Sequence, residues 1–106
     1  MNNVRILSLI QFIKDDPNDQ FSIYALALEY LNKDNLKSEE LFKELLEKHP
    51  QYLPTYFHAA SLFSDLGKRE IADQTYKKGI ELATAANNDH ALRELKSAYL
   101  NFQFED

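Results

Sequence analysis

The chain has 106 residues, the size of one small domain, with 44% hydrophobic and 27% charged residues, an ordinary balance for a soluble globular protein. It carries 17 Asp and Glu against 12 Lys and Arg, a formal charge of −5, which disfavours a nucleic-acid binder with its basic patch. It contains no cysteine, so disulfides, zinc–thiolate sites, iron–sulfur clusters and cysteine nucleophiles are excluded.

Taken in chain order, the segments read as helices. Over residues 3–14, Ile6, Leu9, Ile10 and Ile13 recur at helical spacings of three and four. Lys14-Asp15-Asp16 closes this apolar stretch, and no small-residue cleavage site follows, so a secretory signal is not expected. Asp15-Asp16-Pro17-Asn18-Asp19 is a break rich in turn and cap residues. Residues 20–32 place Ile23, Leu26, Ala27 and Tyr30 on one face. Asn32-Lys33-Asp34-Asn35 is a turn whose Asn35 is expected to cap the next helix. Residues 36–48 carry Leu41, Phe42, Leu45 and Leu46, and Pro50 stops that helix by pushing His49 out of the α region. Residues 53–66 carry Tyr56, Ala59, Ala60 and Phe63, followed by Gly67 in the left-handed position past a helix end. Residues 69–84 carry Ala72, Tyr76, Gly79, Ile80 and Ala83. Asn87-Asn88-Asp89 breaks and caps again, and residues 90–103 carry Leu92, Leu95, Tyr99 and Phe102. Turns of about 3 to 5 residues separate these helices, and no segment alternates with the period of a strand. The longest charge-free run, between Lys48 and Asp65, holds Pro50 and Pro54 and does not read as a membrane span. The cytoplasm is the default compartment.

The helices repeat. Pro17 and Pro50 lie 33 residues apart, Ile23 and Tyr56 also 33, and Phe42 and Tyr76 lie 34 apart. The first unit runs Ile23, Leu26-Ala27, Tyr30, Ser38, Phe42, Leu45, Pro50. The second runs Tyr56, Ala59-Ala60, Phe63, Gly67, Ala72, Tyr76, Gly79, Thr84. This pattern, with its period near 34, resembles the tetratricopeptide repeat. The second unit departs from the family pattern with Tyr56 for Trp, Ala60 for Gly and Thr84 for the closing Pro. The first has Ile23 for Trp, Ser38 for Ala and a turn one residue shorter. The resemblance implies an all-α antiparallel helix-hairpin array of about six helices in a single domain, residues 1–106. Residues 3–15 would be the second helix of a preceding half-repeat, 20–50 repeat 1, 53–84 repeat 2 and 89–103 a capping helix. Small residues at Ala27, Ala60, Ala72 and Gly79 are expected where helix axes approach closely, with Tyr30, Phe42, Phe63 and Tyr76 filling the space beside them. A lone hairpin cannot bury its apolar face, so stacking supplies the core.

Chemistry is sparse. The three histidines, His49, His58 and His90, show neither i,i+4 pairing nor a His-Glu-x-x-His motif, so no metal site is expected and they read as capping or solvated groups. Two glycines cannot build a phosphate loop, no serine sits in a Gly-x-Ser-x-Gly elbow, and the Glu39-Glu40 and Asp15-Asp16 pairs read as solvated or capping charges. No cofactor and no catalytic residue is expected; an enzyme would need a pocket with a strongly perturbed titrating group.

A surface remains. In the tetratricopeptide family the first helix of each repeat lines a concave groove that holds a peptide or a partner helix. By that resemblance the groove residues are Phe21, Tyr24, Leu28 and Leu31 from repeat 1, with Phe57, His58, Ser61 and Asp65 from repeat 2; Ser64 lies beside them. Tyr24 and Phe57 would be the anchors. Chaperone-binding members hold a C-terminal carboxylate with Lys and Asn. The corresponding positions here, Phe21 and Ala25, then Pro54 and His58, form no such clamp. The expected partner is a protein or peptide, with acidic rims favouring basic ones; neither nucleic acid nor membrane is expected. Two alternatives stay open: the terminal segments cover these residues, or the same surface forms a homodimer.

Overall fold

The computed structural model describes residues 3–105. Among them are six helices and no strand: α1 (Asn3–Asp15), α2 (Gln20–Tyr30), α3 (Asn35–Lys48), α4 (Thr55–Asp65), α5 (Arg69–Ala85) and α6 (Asp89–Gln103). The chain divides into two compact units between Tyr52 and Leu53, in the gap between the two expected repeats.

In the first unit α2 packs against both α1 and α3. Ile6 and Leu9 of α1 bury themselves on Ala25 and Leu26 of α2, with Ile10, Ile13, Tyr30 and Leu41 packed around them. Ile23 and Ala27 are fully buried, as are Phe42 and Leu45 of α3. α2, apolar over most of its surface, is thus buried on the two sides that face α1 and α3, while Phe21 stays exposed. Ser38 stands where the family pattern has alanine. It is fully buried, and its hydroxyl donates to the Ala27 carbonyl at 2.8 Å, so the polar atom is satisfied without separating α2 from α3.

The helix ends follow capping chemistry. Asp19 caps α2, accepting from Ser22 N at 3.1 Å and Ser22 Oγ at 2.7 Å. These bonds, the Ser22 hydroxyl first, hold its carboxyl below the usual range. Two expectations at the next turn are corrected. The helix expected over 20–32 ends at Tyr30, because Leu31 turns extended (ψ 130°) and Asn32 takes the left-handed conformation (φ 67°). The cap of α3 is Asp34, which accepts from Lys37 N at 3.2 Å. Asn35 is the first helical residue and instead accepts from Asn32 N at 2.8 Å, closing the turn.

The second unit is α4, α5 and α6, with α6 touching both of the others. The helix expected over 53–66 is shorter, Thr55–Asp65, because Pro54 takes the cap position without a side-chain bond and Leu53 lies in the preceding turn. Gly67 has φ 77°, and Lys68 N reaches back to Phe63 O at 2.8 Å. Asn87 repeats this device at the end of α5, with φ 56° and Asn88 N on Ala83 O at 3.0 Å. Asn88 then caps α6, accepting from Ala91 N at 3.0 Å.

The small residues sit where expected. Ala59, Ala60, Ala72 and Ala83 are fully buried, and Phe63 is 1% exposed. At Gly79 the approach is close. A Cβ there would stand 2.8 Å from Tyr56 Cβ on α4 and 3.2 and 3.3 Å from the two Leu95 Cδ atoms on α6. Three helices therefore meet on one missing methyl group.

The rings of Tyr76, Tyr99 and Phe102 join α5 to α6, with centroids 5.4–6.1 Å apart. Arg69 lies over the Phe102 ring, 4.2 Å from its centroid, and donates Nη2–H to the Phe102 carbonyl at 2.9 Å. It thereby adds a side-chain donor to a carbonyl at the end of α6 that also accepts from Glu105 N at 3.2 Å. The Tyr99 hydroxyl donates to Asp73 Oδ1 at 2.7 Å, and Lys77 Nζ stands 3.0 Å from Asp73 Oδ2.

Candidate functional site

In the second unit α4 and α6 leave a cleft between them of about 450 Å³. Phe57, half-buried on α4, is its aromatic wall. The opposite wall comes from α6: His90, Arg93, Glu94, Ser97, Ala98 and Asn101. These recur at spacings of three and four, so they form one stripe along the helix, on the side away from the buried Leu95 and Phe102. His90 Nε2 stands 3.3 Å from Glu94 Oε1.

His58 lies beside the cleft. Its ring meets the Phe57 ring edge-on, with centroids 5.3 Å apart. Burial pushes the imidazole below its ordinary value, and the charge of Glu94 works in the opposite direction. Ser61 is half-buried and Asp65 exposed; neither these two nor His58 line the cleft. Of the four α4 residues expected at a binding surface, Phe57 is the one on the cleft wall.

In the first unit, Phe21 is 62% exposed on α2. Tyr24 is half-buried and packs edge-on against Tyr52, centroids 5.8 Å apart. Burial, and secondarily the charge of Asp19, raises the Tyr52 phenol above its ordinary value. Leu28 is half-buried. Leu31, expected on the same face, sits in the turn after α2, so the helical spacing that grouped it with Tyr24 and Leu28 ends before it.

A tetratricopeptide repeat domain protein from Salinibacter ruber, known from a crystal structure, is 37% identical to this chain, with a TM-score of 0.79 over 84% of this chain and 100% of its own. The solution NMR structure of a tetratricopeptide repeat domain protein from the same organism is 39% identical, with a TM-score of 0.77 over 85% and 93% of the two chains. The chain belongs to the tetratricopeptide repeat family. No family model matches it, and no curated protein matches it either.

Within this tetratricopeptide repeat chain, the reading of α6 as a cap left out half of the cleft. The signal was present: His90, Arg93, Glu94, Ser97 and Asn101 recur at helical spacing. Composition alone makes such a stripe look like a solvated face, and only the packing of α6 on α4 sets it opposite an aromatic ring. Among the described residues no group of three or more His, Asp or Glu side chains is placed to hold a metal ion, and no helix is long and apolar enough to cross a membrane.

Proposed function

We propose that this chain is a non-catalytic protein-interaction module that takes up a segment of a partner protein along the first helices of its repeats. The observation that carries the reading is the α4–α6 cleft. Its volume suits a few side chains, and it sets one aromatic wall against hydrogen-bonding groups, the composition of a recognition site. The polar groups at the cleft form no nucleophile–base pair, which supports binding over chemistry. Within the first unit, the exposed Phe21 and the half-buried Tyr24 and Leu28 of α2 offer an apolar face of their own; within the second, Phe57 is the anchor on α4.

The test compares capture by immobilised wild-type protein and a Phe57→Ala variant whose circular dichroism matches wild type. A partner retained by the first and lost by the second supports the reading. Equal retention refutes the cleft as the site. Capture of the protein's own second copy alone, with a dimer in size-exclusion chromatography, favours self-association through the same surface.

A further inference from the structure

The α4–α6 cleft contains a positive charge that the fold leaves unmatched. The chain has three arginines. Arg5 Nε lies 3.8 Å from Glu29, and Arg69 is held by the Phe102 carbonyl and ring. Arg93 forms no ion pair or side-chain hydrogen bond among the described residues. Asp89 lies one turn back, at the spacing that allows an ion pair, yet none forms among the described residues. Glu94 is the next residue, so the two side chains leave the helix about 100° apart and do not face each other; Glu94 stands instead beside His90, one turn back. Ser97 and Asn101 follow Arg93 at single-turn intervals, and neither makes a side-chain hydrogen bond among the described residues. Arg93, Ser97 and Asn101 thus form a row of free donors about 12 Å long, the length of about four residues of extended chain, opposite the ring of Phe57.

We propose, resting on the reading of the chain as an interaction module, that this cleft selects an internal peptide segment. Its apolar side chain packs on Phe57, and an Asp or Glu side chain, one to three residues away, accepts from the Arg93 guanidinium. The planar fork of the guanidinium suits a carboxylate. Ser97 and Asn101 donate to the backbone of the segment as it runs along α6. The formal charge of −5 opposes an acidic segment only at long range, and salt screens it beyond about 8 Å. The contact with Arg93 therefore decides selectivity, and acidic segments are preferred over the basic ones that the overall charge alone suggests.

The probe is a display library of random octapeptides, amidated or fused at the C-terminus so that no terminal carboxylate is offered. It is selected against the wild-type protein, Arg93→Gln and Arg93→Glu. Arg93 is exposed and without an ion pair among the described residues, so both variants keep the fold, which circular dichroism checks. Wild type should enrich Asp or Glu within three residues of Leu, Ile or Phe. Synthetic peptides carrying Glu should bind about fivefold or more tightly than their Gln counterparts. Arg93→Gln should erase that ratio, and Arg93→Glu should invert the preference toward Lys and Arg. Enrichment of apolar peptides with no acidic preference, or with one that survives Arg93→Gln, overturns this assignment and leaves the interaction module standing. Enrichment of Lys or Arg by wild type overturns it in favour of Glu94 as the selecting charge. No enrichment by any form overturns both readings.

Discussion

Gly79→Ala sets two rules against each other with opposite signs. Alanine in place of a mid-helix glycine gains about 1 kcal/mol of helix propensity. The structure charges more than that against it. The new methyl carbon would stand 2.8 Å from Tyr56 Cβ and 3.2 and 3.3 Å from the Leu95 Cδ atoms, where carbon atoms prefer about 3.5–4.0 Å. Leu95 can yield by rotating. Tyr56 Cβ cannot, because it is bonded to the α4 backbone, so α4 and α5 must part locally. Overpacking costs about 1–3 kcal/mol, and a 2.8 Å contact with a backbone-bonded carbon places this case at about 2–3 kcal/mol, leaving a net loss of about 1–2 kcal/mol after the propensity gain. For a chain of this size that lowers the melting temperature by about 4–10 °C, read by circular dichroism at 222 nm and checked by urea unfolding. Leu95→Val in the same background should recover part of the loss, since it removes the δ carbons but not the contact with Tyr56. A melting temperature unchanged or raised in Gly79→Ala would refute the argument that three helices converge on this position.

Two further outcomes follow from the titrating groups. Because burial lowers the folded-state value of His58 below its ordinary 6.5, the unfolded chain takes up the proton first. Stability should be full above pH 6.5 and fall as the pH drops through that value toward the folded one, and His58→Gln should flatten this part of a melting-temperature profile between pH 7.5 and 5. The Tyr99 hydroxyl, and after it Lys77, hold Asp73 below its ordinary 3.8. The contribution of Asp73 is therefore complete above that value and is lost as the pH falls through the folded-state one. Tyr99→Phe should shift the acid limb of the profile upward in pH, and an unchanged limb would show that the bond to Asp73 does not contribute in solution.

The helices were legible because their causes are local. Aliphatic and aromatic residues at spacings of three and four mark the faces, and Pro50 and Gly67 mark ends. The second repeat announced itself through Ala59-Ala60, Phe63, Ala72, Tyr76 and Gly79, the small and large residues that a close hairpin requires. Errors fell at caps and turns. Asp34 and Asn35 are adjacent and both competent to cap, and the left-handed turn at Asn32 decides which carboxyl or amide oxygen meets the first free N–H of α3. The candidate site was less legible. Phe57 could be singled out, through the family resemblance, as a groove aromatic of α4, but nothing within one helix tells which residue of another stands across from it.

That division has a physical basis. Period, capping and propensity act over one or two turns, so residue types within a few positions of each other specify that helices form, where they stop, and that they pair in hairpins with a period near 34. Which atoms touch depends on how neighbouring helices rotate and separate, a balance of packing over many residues. Packing closed Gly79 against Tyr56 and Leu95, gave Ser38 the Ala27 carbonyl as its acceptor, and placed the Arg93, Ser97 and Asn101 stripe opposite Phe57. A polar stripe on an isolated helix meets only water; tertiary structure made this one the wall of a cleft.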